Sequence, residues 1–122
     1  MSIHESGEMY LEAIHVLHQQ NGYVRSVDVS EYLGYSKPSV SRAMGILRKE
    51  GYLLMEKDGC LTLTDRGQEA AEKIYARHTL LTAFLRHIGV CEQTAAEDAC
   101  RLEHAVSDES YEALKRFMET LK

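Results

Sequence analysis

Apolar residues recur along this chain with two periods, and the change between them marks its organisation. Tyr10, Leu11, Ile14 and Leu17 keep helical spacing over Glu5–Gln20, a run that Asn21-Gly22 ends. Val29, Tyr32 and Leu33 give one face to a short helix over Ser26–Leu33, with Ser26 as its expected N-cap and Gly34 as its break. A third helix is predicted over Lys37–Glu50. Ser36 can cap it, Pro38 sits in the first turn where its missing N–H is no loss, and Val40, Ala43, Met44 and Leu47 form a buried stripe. The period then falls to two. Tyr52–Met55 is apolar, Lys57-Asp58-Gly59 is a turn, and Leu61 and Leu63 alternate with Thr62 and Thr64, which is the pattern of a β-hairpin.

Helical spacing returns over Asp65–Ile88, where Ala70, Ile74, Arg77/His78, Leu81 and Leu85 track one side and Gly89 ends the run. Two further helices are predicted, over Thr94–Val106 and, with Ser107 as N-cap, over Asp108–Leu121. The expected fold is therefore mainly α. A winged helix-turn-helix domain occupies 1–65, and an all-helical domain occupies 66–122. The apolar faces of the second half exceed what one small core needs, and any interface between copies is expected to come from it. Leu114, Phe117 and Leu121 would either cover that domain or extend the interface.

Composition narrows the class. The 122 residues are 44% hydrophobic with one proline, enough for a real core. No apolar run reaches the roughly 20 residues that would span a bilayer, and the polar N-terminus carries no signal-peptide core. A cytoplasmic protein with no membrane partner is expected. The three cysteines are scattered, which argues for reduced thiols, and Cys60 and Cys91 read as small apolar residues. His4, His15, His18 and His87 read as surface residues.

The net charge of −5 hides an uneven distribution. Met1–Tyr23 has no Lys or Arg, whereas Val24–Arg66 carries seven basic residues against six acids. Double-stranded DNA needs a local basic face, not a basic protein. The second helix of a helix-turn-helix enters the major groove by its N-terminal residues, here Ser36, Lys37, Pro38, Ser39, Ser41 and Arg42. Arg42 faces away from the buried stripe and can reach a guanine edge, and Pro38 offers apolar surface to a thymine methyl. Lys37, and Lys57 at the hairpin tip, suit phosphates.

The tract Asp98–His104 carries the second chemistry. On a helix, Cys100, Glu103 and His104 stand at i, i+3 and i+4 and project from one face. Thiolate, carboxylate and imidazole are good ligands for a divalent transition metal. Met9 and Glu12 lie one turn apart on the first helix, and His78 sits among apolar residues on the long one. Taken alone, Met9 reads as a core methionine and His78 as a satisfied core histidine; if the helices pack together, six candidate ligands converge. Enzymatic readings are excluded: there is no second zinc-binding histidine pair, no oxyanion loop beside a Cys100–His104 pair, and no Gly-rich phosphate cradle. A winged-helix regulator that is not gated by metal stays open as the alternative.

At these residues the sequence resembles the diphtheria toxin repressor family of metal-dependent regulators, including its manganese-regulator branch. The resemblance covers nearly the whole chain. It rests on Glu8-Met9-Tyr10-Leu11, Ser36-Lys37-Pro38-Ser39-Val40-Ser41, the Leu61–Gly67 stretch, Arg77-His78 and, most specifically, Ala99–Glu109. It implies a homodimeric repressor on a palindromic operator, controlling iron or manganese homeostasis genes. Met9, Cys100, Glu103 and His104 match the regulatory site of iron-responsive members, and Glu12 and His78 match ligands of manganese-responsive ones. A metal bridging the DNA head and the helical half would set the spacing of the two recognition helices. The soft donors Met9 and Cys100 favour Fe(II) over Mn(II). Thr82 and Ala96 replace two residues of the iron-type ancillary site, which is expected to be altered or absent. The C-terminal SH3-like domain of larger members is also expected to be absent.

Overall fold

The computed structural model describes residues 5–121. The elements run α1 (Glu5–Asn21), α2 (Ser26–Leu33), α3 (Lys37–Lys49), β1 (Leu53–Met55), β2 (Leu61–Leu63), α4 (Asp65–His87), α5 (Glu92–Leu102) and α6 (Asp108–Glu119). Two compact units result, one ending at Glu72 and one beginning at Lys73. No described helix is long and apolar enough to cross a membrane.

In the first unit the predicted stripes meet. Tyr10, Leu11, Ile14 and Leu17 of α1, Val29 of α2, and Val40, Met44 and Leu47 of α3 are buried together with Leu53 and Leu61 of the hairpin. Each such aliphatic contributes about 1.5–3 kcal/mol on full burial, so this core holds the three helices in a helix-turn-helix. Ser36 caps α3 as expected, its Oγ accepting from the Ser39 N–H at 3.3 Å. The cap of α2 differs. Arg25, not Ser26, is the N-cap, and the Asp28 carboxylate accepts the Arg25 N–H at 2.9 Å. The ionised acceptor at the third helical position satisfies the N–H of the cap residue itself, the returning half of a capping box.

The wing pairs Leu53 with Leu63 and Met55 with Leu61, antiparallel. It is tied to the head where the Leu61 N–H meets the Val24 carbonyl at 2.7 Å. At its tip Gly59 takes φ +89°, a left-handed conformation that glycine accepts freely. Asp58 accepts the Cys60 N–H at 3.0 Å, and this bond, with a second from the Cys60 thiol, holds its carboxyl below the usual carboxylate range. Thr64 then starts α4. Its Oγ1 accepts the Gly67 N–H at 3.1 Å and donates to the Gly51 carbonyl at 2.7 Å.

In the second unit Ile74, Leu81, Ala95 and Ala99 are buried. α6 buries none of its residues, and Phe117 and Leu121 remain 47% and 44% exposed. Phe117 meets Phe84 edge to face at 6.3 Å. α5 ends at Leu102, four residues before the expected boundary. The turn that follows is held by a side chain from α4: buried Arg77 donates to the carbonyls of Glu103, the C-cap, and of Val106. The chain turns there, and Ser107 caps α6 as expected.

Candidate metal centre and nucleic-acid interface

Within the second unit, His78 of α4 meets the turn that follows α5. Glu103 Oε2 lies 3.3 Å from His78 Nδ1, and Glu103 Oε1 lies 3.4 Å from His104 Nε2. The Glu103 side chain is 0% exposed and that of His104 2%. Neither Glu103 oxygen accepts a hydrogen bond among the described residues. A buried carboxylate without hydrogen bonds is expensive, by several kcal/mol, unless a cation joins it. Two imidazoles and a carboxylate are a donor set that fits a divalent transition ion.

The helix expected to carry all three tract residues stops short of two of them. Glu103 is the C-cap of α5, with helical φ and ψ, and His104 lies in the turn beyond. Cys100 sits one turn earlier on α5 and is exposed. Met9 and Glu12 are half-buried on α1 in the first unit, and Tyr35 donates its O–H to Met9 Sδ at 3.9 Å. Thr82 donates to the His78 carbonyl at 2.7 Å, a bond within its own helix.

The first unit offers a polar, exposed start to α3. Lys37, Pro38, Ser41 and Arg42 are exposed there, and Lys57 is exposed at the wing tip. The hydroxyls of Ser36 and Ser39 lie 2.8 Å apart and are engaged in the helix cap. Arg66 is turned inward, donating to the Glu50 carbonyl and the Tyr52 hydroxyl and stacking 4.3 Å from the Tyr52 ring centre.

Residues 2–61 match the family model of the iron dependent repressor N-terminal DNA binding domain, and residues 64–122 match that of the iron dependent repressor metal binding and dimerisation domain. The chain belongs to this family, that of the diphtheria toxin repressor. A helix-turn-helix transcriptional regulator of Methanocaldococcus jannaschii is 38% identical over 120 residues, 97% of this chain and 96% of that protein. The transcriptional regulator MntR of Lysinibacillus sphaericus is 35% identical over 117 residues, 96% and 84% of the two chains. The solved structure of the manganese regulator SloR superposes with a TM-score of 0.82 at 31% identity, over 98% of this chain. This chain spans 55% of that one.

Family membership gives the two halves their character. The family is one of metal-dependent transcriptional regulators with a DNA-binding domain and a metal-binding and dimerisation domain, and its members here are regulators, not enzymes. The remaining histidine and cysteine expectations divide. His15 is buried, its Nδ1 3.1 Å from Gln68 Nε2, in a groove of about 330 Å³ lined also by His18 and Glu72. Cys91 is exposed, as the N-cap of α5, where a small apolar residue was expected. His18 and His87 are exposed, and His4 lies outside the described residues. Sequence reasoning missed Arg77 as a structural element. Its only signal was a charged residue at an apolar position of the long helix.

Proposed function

We propose that this protein is a metal-activated repressor that acts as a homodimer on a palindromic operator in the cytoplasm. It would control genes of iron or manganese homeostasis. The observation that carries this reading is the buried Glu103 carboxylate, flanked by His78 and His104 and given no hydrogen bond. His78, Glu103 and His104 would hold the metal. The family resemblance adds Cys100, and from α1 Met9 and Glu12, to the ligand set. The division into a DNA-binding domain over 1–65 and a metal-binding and dimerisation domain over 66–122 belongs to the same reading.

A bound divalent ion supplies the positive charge that the Glu103 carboxylate lacks. The chain's own residues do the rest. The buried core of the first unit keeps α3 rigid relative to α1 and α2, so the heads move as bodies. Arg42 and Pro38 meet base edges, and Ser36, Ser39, Ser41, Lys37 and Lys57 lie against the backbone. Apolar Phe117 of α6 and Leu121 just beyond it would supply surface for the second copy. The thioether of Met9 and thiol of Cys100 favour Fe(II) over Mn(II), although the similar SloR is named for manganese.

The test is anaerobic binding of the protein to fluorescent DNA from its own upstream region with chelator, Fe(II) or Mn(II). Tight binding only with metal is expected, with Fe(II) the more effective ion. Equal binding with chelator and with metal would leave a winged-helix regulator not gated by metal.

A further inference from the structure

Arg77 is buried next to His78 in sequence, and nothing in the DNA-binding or ligand assignments uses it. Its Nη1 donates to the Glu103 carbonyl at 3.3 Å and also to the Val106 carbonyl. Its Nη2 donates to the Asp108 carboxylate. Lys73 approaches the same Asp108 oxygen at 3.5 Å, and the Tyr111 ring centre lies 5.4 Å from the guanidinium. One side chain on α4 therefore grips the start, middle and end of the segment joining α5 to α6.

That segment carries the candidate ligands. An imidazole or carboxylate inside a helix is aimed by the helix itself. Glu103 and His104 lie past Leu102, where α5 ends in a turn: the N–H groups of Ala105 and Val106 share the Leu102 carbonyl. Among the described residues the Glu103 oxygens make no hydrogen bond that would orient them. Their position is set by the backbone, and the backbone is held by Arg77. A planar guanidinium suits this task, since its fork meets fixed acceptors and the terminal carbonyls of α5 carry the negative end of the helix dipole.

We propose that Arg77 is a positioning residue for the metal centre: it clamps residues 103–108 onto α4, setting where Glu103 and His104 stand relative to His78, and it passes that geometry to the start of α6 through Asp108. The proposal rests on the reading of His78, Glu103 and His104 as metal ligands.

Cobalt(II), added to the metal-free full chain without oxygen, is the probe. Its affinity and its d–d absorption are read for the unsubstituted protein and for Asp108→Asn, Arg77→Met, Arg77→Lys and Glu103→Gln. Outer partners of metal ligands typically govern about 10- to 100-fold in affinity. Asp108→Asn and Arg77→Met are expected to weaken cobalt binding by about tenfold or more and to alter the spectrum, and Arg77→Lys to recover part of both. Because the Asp108 side chain is 74% exposed, Asp108→Asn keeps the test decisive even if Arg77→Met fails to fold. A lowered unfolding midpoint with unchanged cobalt affinity and spectrum in Asp108→Asn would overturn the clamp. Undiminished cobalt binding by Glu103→Gln would overturn the centre itself, and the clamp with it.

Discussion

Glu103 Oε2 stands 3.3 Å from His78 Nδ1, yet the buried carboxylate accepts no hydrogen bond among the described residues. On the proposed reading, such a group destabilises the metal-free protein and would stabilise the loaded one. Glu103→Gln removes the buried charge, so the metal-free unfolding midpoint should stay level or rise. Metal at 100 times its Kd adds about 2.7 kcal/mol to a protein that binds it only when folded. That gain should vanish in Glu103→Gln. Thermal unfolding with chelator and with Mn(II) checks both. A destabilised variant that keeps the full metal response would contradict the assignment.

Gly67 tests the packing of α4 against the wing. A Cβ at this buried glycine would lie 1.9 Å from the Tyr52 carbonyl oxygen, a contact with backbone that no rotamer relieves. The same oxygen accepts the Thr64 N–H at 3.1 Å, so it is not free to move. Gly67→Ala should cost at least about 2 kcal/mol, within the range of overpacked cores and above the propensity gain of alanine. Urea unfolding followed by circular dichroism measures it. A loss below half a kcal/mol would show that β1 and α4 can part without penalty.

Legibility followed the reach of the forces. α1, α2, α3 and the hairpin were readable because each buries one stripe whose period is local. The end of α5 was not, because Arg77, 26 residues before Glu103, takes the carbonyl of this C-cap residue. The cap of α2 went to Arg25 because the Asp28 carboxylate, three residues on, accepts the Arg25 N–H, a tie set by the third helical residue rather than the first. His15 read as surface since its neighbours in sequence are mixed; its partner Gln68 lies 53 residues away. The candidate ligands His78, Glu103 and His104 were readable as residue types. Their meeting around one buried carboxylate is a tertiary fact.

Cys91 is the thiol to watch. Its Sγ lies 3.3 Å from Thr94 Oγ1, and this hydroxyl, followed by the Thr94 N–H, holds the thiol below its ordinary range. The N-terminus of α5 adds its dipole in the same sense. Alkylation of Cys91 by iodoacetamide, followed by mass spectrometry across pH, should set in at lower pH than for free cysteine. Thr94→Val should move the profile back up. A Cys91 profile unaffected by Thr94→Val would assign the reactivity to exposure alone.

Arg42 and Lys57 separate sequence reading from charge. Both are exposed, one on α3 and one at the wing tip. A bidentate contact to a guanine edge is worth about 1–3 kcal/mol of discrimination. A phosphate contact carries no sequence information but releases counterions. Arg42→Ala should therefore weaken operator binding by about 1–3 kcal/mol while leaving binding to unrelated DNA nearly unchanged, so the specificity ratio falls. Lys57→Ala should weaken both alike and make the log–log salt slope shallower by about one. Metal-loaded protein titrated with operator and scrambled duplexes at several salt concentrations resolves the two. If Arg42→Ala instead lowers both affinities equally and reduces the salt slope, Arg42 contacts phosphate, and the base-reading side chain must be sought elsewhere at the exposed start of α3, with Lys37 next in line.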